Sequence, residues 1–93
     1  GPAIKPIAVF KTFQVAQVAR PLGIPIIGQG GVTCAADAIE FLLAGATAVG
    51  VGTGLFYDPM LLKSINVGLL DYLDRHGMAS VGELSGALKL NGA

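Results

Sequence analysis

Residues 24–32 read IPIIGQGGV, and residues 49–54 repeat the same pattern as VGVGTG. Each stretch is a short apolar run that stops at glycines and precedes a helical pattern, which is typical of a buried parallel β-strand opening into a tight turn. Glycines in such a turn let backbone N–H groups approach an anion closely, and the next helix directs the positive end of its dipole to the same place. Two such turns on neighbouring strands predict one anion site, formed by Gly30, Gly31, Gly52 and Thr53.

Both turns also have a simpler interpretation. Gly30 and Gly31 are compatible with a strand-to-helix turn that binds no ligand, and Thr53 is compatible with a helix N-cap. In a β/α barrel, the loops after the last two strands are the usual position of a phosphate site. The residues alone leave both interpretations of Gly30 and Gly31 open.

Helical patterns precede and follow the first strand, which is expected over residues 24–27. Residues 1–6 are expected to be extended, and residues 7–20 helical. After the glycine turn, Thr33 is the expected N-cap of a second helix, with Asp37 in the first turn of that helix and Gly45 at its C-terminal end.

The second half of the chain continues the alternation. A second strand is expected over residues 46–51, and a long helix from residue 58 to about residue 76. Ser80 and Glu83 then have capping-box spacing for a short last helix. A strand–helix–strand order with short links requires a parallel pair and a right-handed crossover. The predicted fold class is therefore α/β, although two strands cannot make a complete sheet.

Composition excludes several classes of function. The 93 residues are 53% hydrophobic, 13% charged and formally neutral, so charge gives no reason to expect binding to nucleic acid or to an anionic membrane. The mean hydropathy of +0.69 is high, yet no apolar run approaches the roughly 18–20 residues of a membrane span. We interpret the high hydropathy as apolar surface that is buried against protein outside this sequence. A single cysteine fits a reducing compartment, and the cytoplasm is the expected location.

Side chains outside the glycine turns offer no convincing catalytic group. Cys34 is expected to be a small buried residue, although a helix N-terminus can activate a thiol. His76 is expected to complement a helix C-terminus, and Asp71, Asp74 and Glu83 are expected to be solvated surface. No Cys/His cluster has metal-ligand spacing, so no metal site is predicted.

Four stretches carry a resemblance to a known family: GPAIKPIA at 1–8, IPIIGQGGV at 24–32, AIEFLLAGATAVGVGT at 38–53 and DYLDRHGMASVGEL at 71–84. In this order and spacing, and over nearly the whole chain, they resemble the C-terminal end of a class 1 dihydroorotate dehydrogenase. The opening GPAIKPIA is most similar to the subclass that works with a separate electron-transfer subunit carrying FAD and an iron–sulfur cluster. The GGV and GT turns alone are less specific, because other FMN oxidoreductases and the inosine-monophosphate dehydrogenases share them.

The resemblance implies a (β/α)8 TIM barrel that oxidises (S)-dihydroorotate to orotate in pyrimidine biosynthesis and holds FMN at the mouth of the barrel. It implies that Gly1 lies against the flavin, and that the FMN phosphate is held by Gly30, Gly31, Gly52 and Thr53. The family's catalytic base, its substrate-binding asparagines and its flavin-contacting lysine precede the stretch present here. We therefore expect no catalytic residue in this chain.

The sequence departs from the family pattern beside these glycines. Gln29 stands where the family often has an apolar residue, and Gly54 and Leu55 replace the more usual Ala-Asn. Lys5 lies near the flavin end of the chain, but the resemblance gives it no role.

We expect residues 1–93 to form one piece, the C-terminal βαβα portion of a TIM barrel, and not an autonomous domain. The expected partners are the remainder of the barrel, dihydroorotate or orotate, and the electron-transfer subunit, with no nucleic acid and no membrane. We also expect the chain to form an oligomer. Two alternatives are a non-catalytic βα fragment that binds a phosphorylated ligand or self-associates, and part of another FMN- or phosphate-binding TIM barrel.

Overall fold

The computed structural model describes residues 2–52 and 59–87. Helices and strands alternate in the order expected from the sequence. The elements are a 3₁₀ turn at Pro2–Ile4, α1 (Lys5–Ala19), a 3₁₀ turn at Arg20–Leu22, β1 (Ile27–Gln29), α2 (Ala35–Ala44), β2 (Ala48–Gly50), α3 (Leu61–Arg75) and α4 (Val81–Leu84). No helix within these ranges is long and apolar enough to cross a membrane.

The two strands pair in parallel, as the strand–helix–strand order predicts. Both strands are shorter than expected, and β1 begins three residues later than predicted. The backbone before β1 still contacts β2, because Ile26 O accepts hydrogen bonds from Thr47 N (2.7 Å) and Ala48 N (3.2 Å). Pro25 has no N–H to donate, so the regular ladder cannot extend back through it. The register pairs are Ile27 with Ala48, Gly28 with Val49, and Gln29 with Gly50.

The start of α1 corrects the prediction of an extended N-terminal segment. The chain already turns at Pro2–Ile4, and α1 begins at Lys5. Pro6 therefore occupies the second helical position, where its missing N–H has no acceptor in the helix and so does not prevent an earlier start. The predicted end of the helix is confirmed, because the 3₁₀ turn closes at Gly23 with a φ of 71°.

The N-cap of α2 is Cys34 and not Thr33. The φ of Cys34 is −160°, so it lies in extended backbone, and no side chain caps the helix there. Thr33, one residue earlier, instead donates from its N–H and its hydroxyl to Asp37 in the first turn of the helix. Gly45 ends α2 with a φ of 127°, as predicted.

Phe41 is the centre of the core and was not singled out by the helical pattern. Its side chain is fully buried and packs on Gly28 of β1, where an added Cβ would lie 2.6 Å from Phe41 Cδ1. The spacing of Leu62, Ile65, Leu69, Tyr72 and Leu73 predicts that these side chains share one face of α3. Ile65 and Leu73 are buried, whereas Leu62 is 51% exposed, which corrects its place on that face. The core cluster around Phe41 consists of Val32, Ala38, Phe41, Ala46, Leu61 and Ile65.

Hydrogen bonds from Arg20 join the segment after α4 to the C-terminal end of α1. Arg20 Nη1 donates to Ser85 Oγ (2.8 Å), and that hydroxyl donates to Ala46 O (2.7 Å). Gly86 N donates to Leu42 O at 2.8 Å. These bonds fix the segment after α4 against the C-terminal ends of α1 and α2, opposite the end at which the glycine turns lie.

Apolar side chains remain exposed on α1, β1 and α3. On α1, Phe10 is 60% exposed and Val18 is 68% exposed. On β1, Gly28 is buried toward α2, whereas Ile27 on the other face of the sheet is 67% exposed. On α3, Leu70 is also 67% exposed.

Candidate functional site

The two glycine turns leave the sheet side by side. Because Gln29 and Gly50 are paired at the carboxyl ends of two parallel strands, Gly30 and Gly31 follow one strand end and Gly52 follows its neighbour. The sequence-predicted glycines in the described part of the chain therefore meet at one edge of the sheet. Thr53 and Gly1, the other two predicted contacts, lie outside the described residues, as do Gly54 and Leu55.

The backbone of the first turn requires glycine. Gly30 has a φ of 127° and Gly31 a φ of 74°, conformations that residues with a side chain rarely adopt. At Gly30 an added Cβ would also lie 2.9 Å from Ala8 Cβ and 3.4 Å from Ile4 Cγ2. Gly30 thus has a packing role against the start of α1, which the sequence pattern alone does not indicate.

Gly52 differs from Gly30 in its contacts with the described residues. None of their atoms lies within 4 Å of a Cβ built at Gly52. No packing requirement from the described part of the chain therefore accounts for glycine at this position.

The N-terminus of α2 lies at the same edge. Its first intrahelical hydrogen bond is donated by Ala38 N to Cys34 O (3.3 Å). The backbone N–H groups of the three residues before Ala38 have no acceptor within the helix, and they mark the positive end of its dipole. This end of α2 and the two glycine turns therefore bring backbone N–H donors to the same edge of the sheet.

Asp37, in the first helical turn of α2, holds the segment that follows the glycine turn at Gly30 and Gly31. Its Oδ2 accepts hydrogen bonds from Thr33 N and Thr33 Oγ1, both at 3.0 Å, and its Oδ1 accepts one from Lys5 Nζ at 2.6 Å. Lys5 Nζ also lies 3.3 Å from Glu40 Oε1. Burial of the Asp37 carboxyl opposes ionisation, but the hydrogen bonds from Lys5 and Thr33 outweigh it and lower the pKa of Asp37 to about 2.

Lys5 thereby acquires a role that the resemblance did not supply. The sequence feature that could have indicated this role is the spacing of Asp37 and Glu40. It places two carboxylates on one helix face, where they can bind a cation. Sequence alone does not show which cation meets them, because Lys5 is 32 residues away from Asp37.

Gln29 lies on the face of the sheet opposite α2 and leans over its register partner. A Cβ at Gly50 would lie 2.6 Å from Gln29 Cγ and 2.8 Å from Gln29 Nε2. The polar side chain that departs from the family pattern therefore occupies the volume that Gly50 leaves empty.

The other titratable candidates lie apart from the glycine turns or on the surface. Cys34 is exposed, which corrects the expectation of a small buried residue. His76 is the C-cap of α3, as predicted: its Nδ1–H donates to Tyr72 O (2.9 Å), and its ring stacks on Tyr72 at 3.9 Å. Asp71 forms an exposed ion pair with Arg75 at 2.9 Å. Within the described ranges, no group of three or more His, Cys, Asp or Glu side chains could hold a metal ion.

Comparison with known proteins identifies the family. The model of the dihydroorotate dehydrogenase family matches residues 1–73. The chain belongs to the dihydroorotate dehydrogenase family. This excludes the alternative of a different phosphate-binding barrel.

Curated members of the dihydroorotate dehydrogenase family match almost the whole chain. A relative from Geotalea daltonii, named dihydroorotate dehydrogenase B (NAD(+)), catalytic subunit, is 52% identical over 90 residues, which are 97% of this chain and 28% of that protein. The protein of the same name from Porphyromonas gingivalis is 56% identical over 88 residues, 95% of this chain and 28% of its own length. The chain therefore spans 28% of the length of these relatives.

Two crystal structures of DHODH from Eimeria tenella share the fold. The ligand-free structure matches with a TM-score of 0.82 and 26% identity, over 89% of this chain and 23% of that one. The complex with ferulenol matches with a TM-score of 0.81 and 25% identity, over 89% of this chain and 22% of that one. The α/β class is confirmed, and the parallel pair with its flanking helices is a portion of a (β/α)8 TIM barrel.

Proposed function

We propose that this chain is the C-terminal, FMN phosphate-binding part of a dihydroorotate dehydrogenase. The observation that carries the proposal is the arrangement of the two glycine turns, which follow neighbouring parallel strands at one edge of the sheet. Family membership supports the reaction, which is oxidation of (S)-dihydroorotate to orotate in pyrimidine biosynthesis. When bound, FMN supplies the acceptor for the hydride removed from the substrate.

In this proposal the chain's own residues bind and orient the cofactor. Gly30, Gly31, Gly52 and Thr53 hold the phosphate through backbone N–H groups, and Gly1 lies against the flavin. The positive φ of Gly31 and the lack of any described atom within 4 Å of a Cβ at Gly52 support this assignment, because both leave the backbone accessible to an anion.

Proton abstraction is assigned to the rest of the barrel. A general base must lie within hydrogen-bond reach of the substrate carbon. Cys34 follows Gly31 by three residues and caps α2, so it belongs to the phosphate end of the site and not to the flavin ring.

The partners follow from the same assignment. The relatives are named catalytic subunits of an NAD(+) enzyme, which supports a separate electron-transfer subunit, proposed to carry FAD and an iron–sulfur cluster. The exposed apolar side chains of α1 and β1 are proposed to be buried by the remainder of the barrel, so the 93 residues are not an autonomous domain. The proposed location is the cytoplasm.

A matched pair of glycine variants tests the site. Gly31→Val in the full-length protein should abolish FMN retention, because it adds a side chain at a φ of 74° in the proposed phosphate turn. Gly23→Val is the control: its φ of 71° imposes the same backbone cost, and no described atom lies within 4 Å of its Cβ position. The measurement is flavin absorbance per mole of purified protein.

The same preparation tests the assignment of the chemistry. Cys34→Ala should keep both its FMN and nearly all of its turnover. A Gly31→Val protein with a full complement of FMN would refute the phosphate site. Loss of turnover in Cys34→Ala with FMN still bound would show that the catalytic group lies in this chain.

A further inference from the structure

We infer that Lys5 makes the proposed phosphate site usable by neutralising the Asp37 carboxylate, which is buried at the same end of α2. This inference rests on the proposed function, because it concerns the affinity of that site for a phosphate. Lys5 does not touch the ligand in this scheme. It is a positioning residue that acts through Asp37.

The contacts form a chain from α1 to the glycine turn. Lys5 is the first residue of α1, and its ammonium donates to Asp37 Oδ1 at 2.6 Å. The other oxygen of Asp37 accepts both the N–H and the hydroxyl of Thr33, at 3.0 Å each. Thr33 is two residues beyond Gly31, so the carboxylate that Lys5 holds also anchors the end of the turn.

The start of α1 touches the turn at its other end as well. Gly30 packs against Ala8 and Ile4, with only 2.9 Å between its Cβ position and Ala8 Cβ. Residues 30–33 are therefore held between two contacts from one end of α1. A shift of that end would move the backbone N–H groups that are proposed to bind the phosphate.

The negative charge of Asp37 would weaken phosphate binding if Lys5 did not neutralise it. Asp37 lies in the first turn of α2, and the same helix end is proposed to face a phosphate. Two anions at one helix N-terminus compete for its dipole and repel each other. The ammonium of Lys5 compensates the charge of Asp37, the carboxylate in the first turn of α2. Glu40 Oε1 also lies 3.3 Å from Lys5 Nζ, but its side chain is 48% exposed and lies one turn farther along the helix, so solvent screens its charge more.

The ion pair is shielded enough for this compensation to matter. The side chains of Lys5 and Asp37 are 22% and 11% exposed. In the surface pair of Arg75 and Asp71 the corresponding values are 63% and 62%. Water and salt screen the first pair much less than the second.

The test compares two flavins that differ only in the phosphate. The full-length apoprotein is titrated with FMN and with riboflavin, and binding is followed by quenching of flavin fluorescence. In Lys5→Met the dissociation constant for FMN should rise about tenfold, while that for riboflavin stays within about twofold. Lys5→Arg should keep most of the FMN affinity, because it retains the cation. Lys11→Met, which removes an exposed lysine from the same helix, should change neither constant.

A double variant protects the test against a folding defect. Lys5→Met leaves a buried carboxylate without its partner, and the combination of Lys5→Met with Asp37→Asn removes that charge as well. The asparagine oxygen can still accept from Thr33 N, so FMN affinity should return to within about threefold of the wild type.

Three outcomes overturn the inference: equal loss of FMN and riboflavin binding in Lys5→Met, no change in either, and a double variant as weak for FMN as Lys5→Met alone. Failure of the proposed function would look different. The wild-type protein itself would then bind FMN no more tightly than riboflavin.

Discussion

Replacing Gly30 by alanine should destabilise the protein even when no cofactor is bound. Gly30 has a φ of 127°, and its Cβ position lies 2.9 Å from Ala8 Cβ and 3.4 Å from Ile4 Cγ2. If Gly30 had no packing role, Gly30→Ala would cost the apoprotein only the backbone strain of a side chain at this φ, with no further loss from the contact with Ala8.

The magnitude has two parts. A side chain in a sparsely populated backbone region costs on the order of 1–3 kcal/mol. Adding a methyl group to a packed contact costs about 1–3 kcal/mol, and carbon atoms prefer a separation of about 3.5–4.0 Å, well beyond the distance to Ala8 Cβ. We expect the free energy of unfolding to fall by about 2–6 kcal/mol in total.

A double-mutant cycle with Ala8 separates the two parts. Ala8→Gly by itself should cost about 1 kcal/mol, the helix-propensity difference. In the Gly30→Ala background it should relieve the contact, so the two changes together cost about 1–2 kcal/mol less than their sum. The backbone part should remain.

The assay is thermal unfolding of the full-length apoprotein followed by circular dichroism. Gly23→Ala is the control, because Gly23 also has a positive φ and no atom of the described residues lies within 4 Å of its Cβ position, so only the backbone cost is expected there. An unchanged unfolding midpoint in Gly30→Ala, or strict additivity with Ala8→Gly, would refute the packing role of Gly30.

Two further predictions concern acid stability and assembly. Because the folded-state pKa of Asp37 is about 2, below the value of about 3.9 expected when unfolded, its ionised form contributes about 2 kcal/mol above pH 4, and this is lost as the pH falls toward 2. Asp37→Asn should therefore be less stable than the wild type in thermal unfolding at pH 6 and nearly equal to it near pH 2. The control Asp71→Asn, which changes an exposed carboxylate, should differ little from the wild type at either pH. A stability deficit of Asp37→Asn that stayed constant down to pH 2 would contradict this prediction. The isolated 93-residue chain should associate or unfold broadly, because the described strands have unpaired outer edges and α1 exposes apolar side chains. A single monomeric species in sedimentation velocity, with a sharp thermal transition, would contradict that prediction.

The glycines of the two turns differ in what they do for the molecule. Gly30 is required by the approach of α1, whereas no atom of residues 2–52 or 59–87 lies within 4 Å of a Cβ at Gly52. The two explanations, a ligand site and a strand-to-helix turn without a ligand, must therefore be tested separately for each glycine. Packing accounts for Gly30 without a ligand, and the proposal of a phosphate site depends on the other positions.

The sequence by itself determined the features that arise from a few neighbouring residues. Gly45 ends α2 at the predicted place, because glycine readily adopts the φ of 127° found there. The parallel pairing of the strands follows from their order along the chain. The family was also predictable, because the quoted motifs cover nearly the whole chain.

Only the tertiary structure decided which of two adjacent residues caps α2. Cys34 takes that position, while Thr33 donates from its N–H and hydroxyl to the Asp37 carboxylate. The same carboxylate accepts a hydrogen bond from Lys5, which the chain brings from another helix and which keeps it ionised. A local pattern contains no information about a contact across 32 residues.

The same reason explains the errors in burial. Leu62 lies at a position that suits a buried helix face, yet it is exposed, whereas Phe41 becomes the centre of the core because Gly28 leaves room for its ring. Helical periodicity shows which residues share a face, but the neighbouring elements decide which part of that face is covered. The pairing of Gln29 with Gly50 is of this kind too, since their contact exists only once the strands are in register.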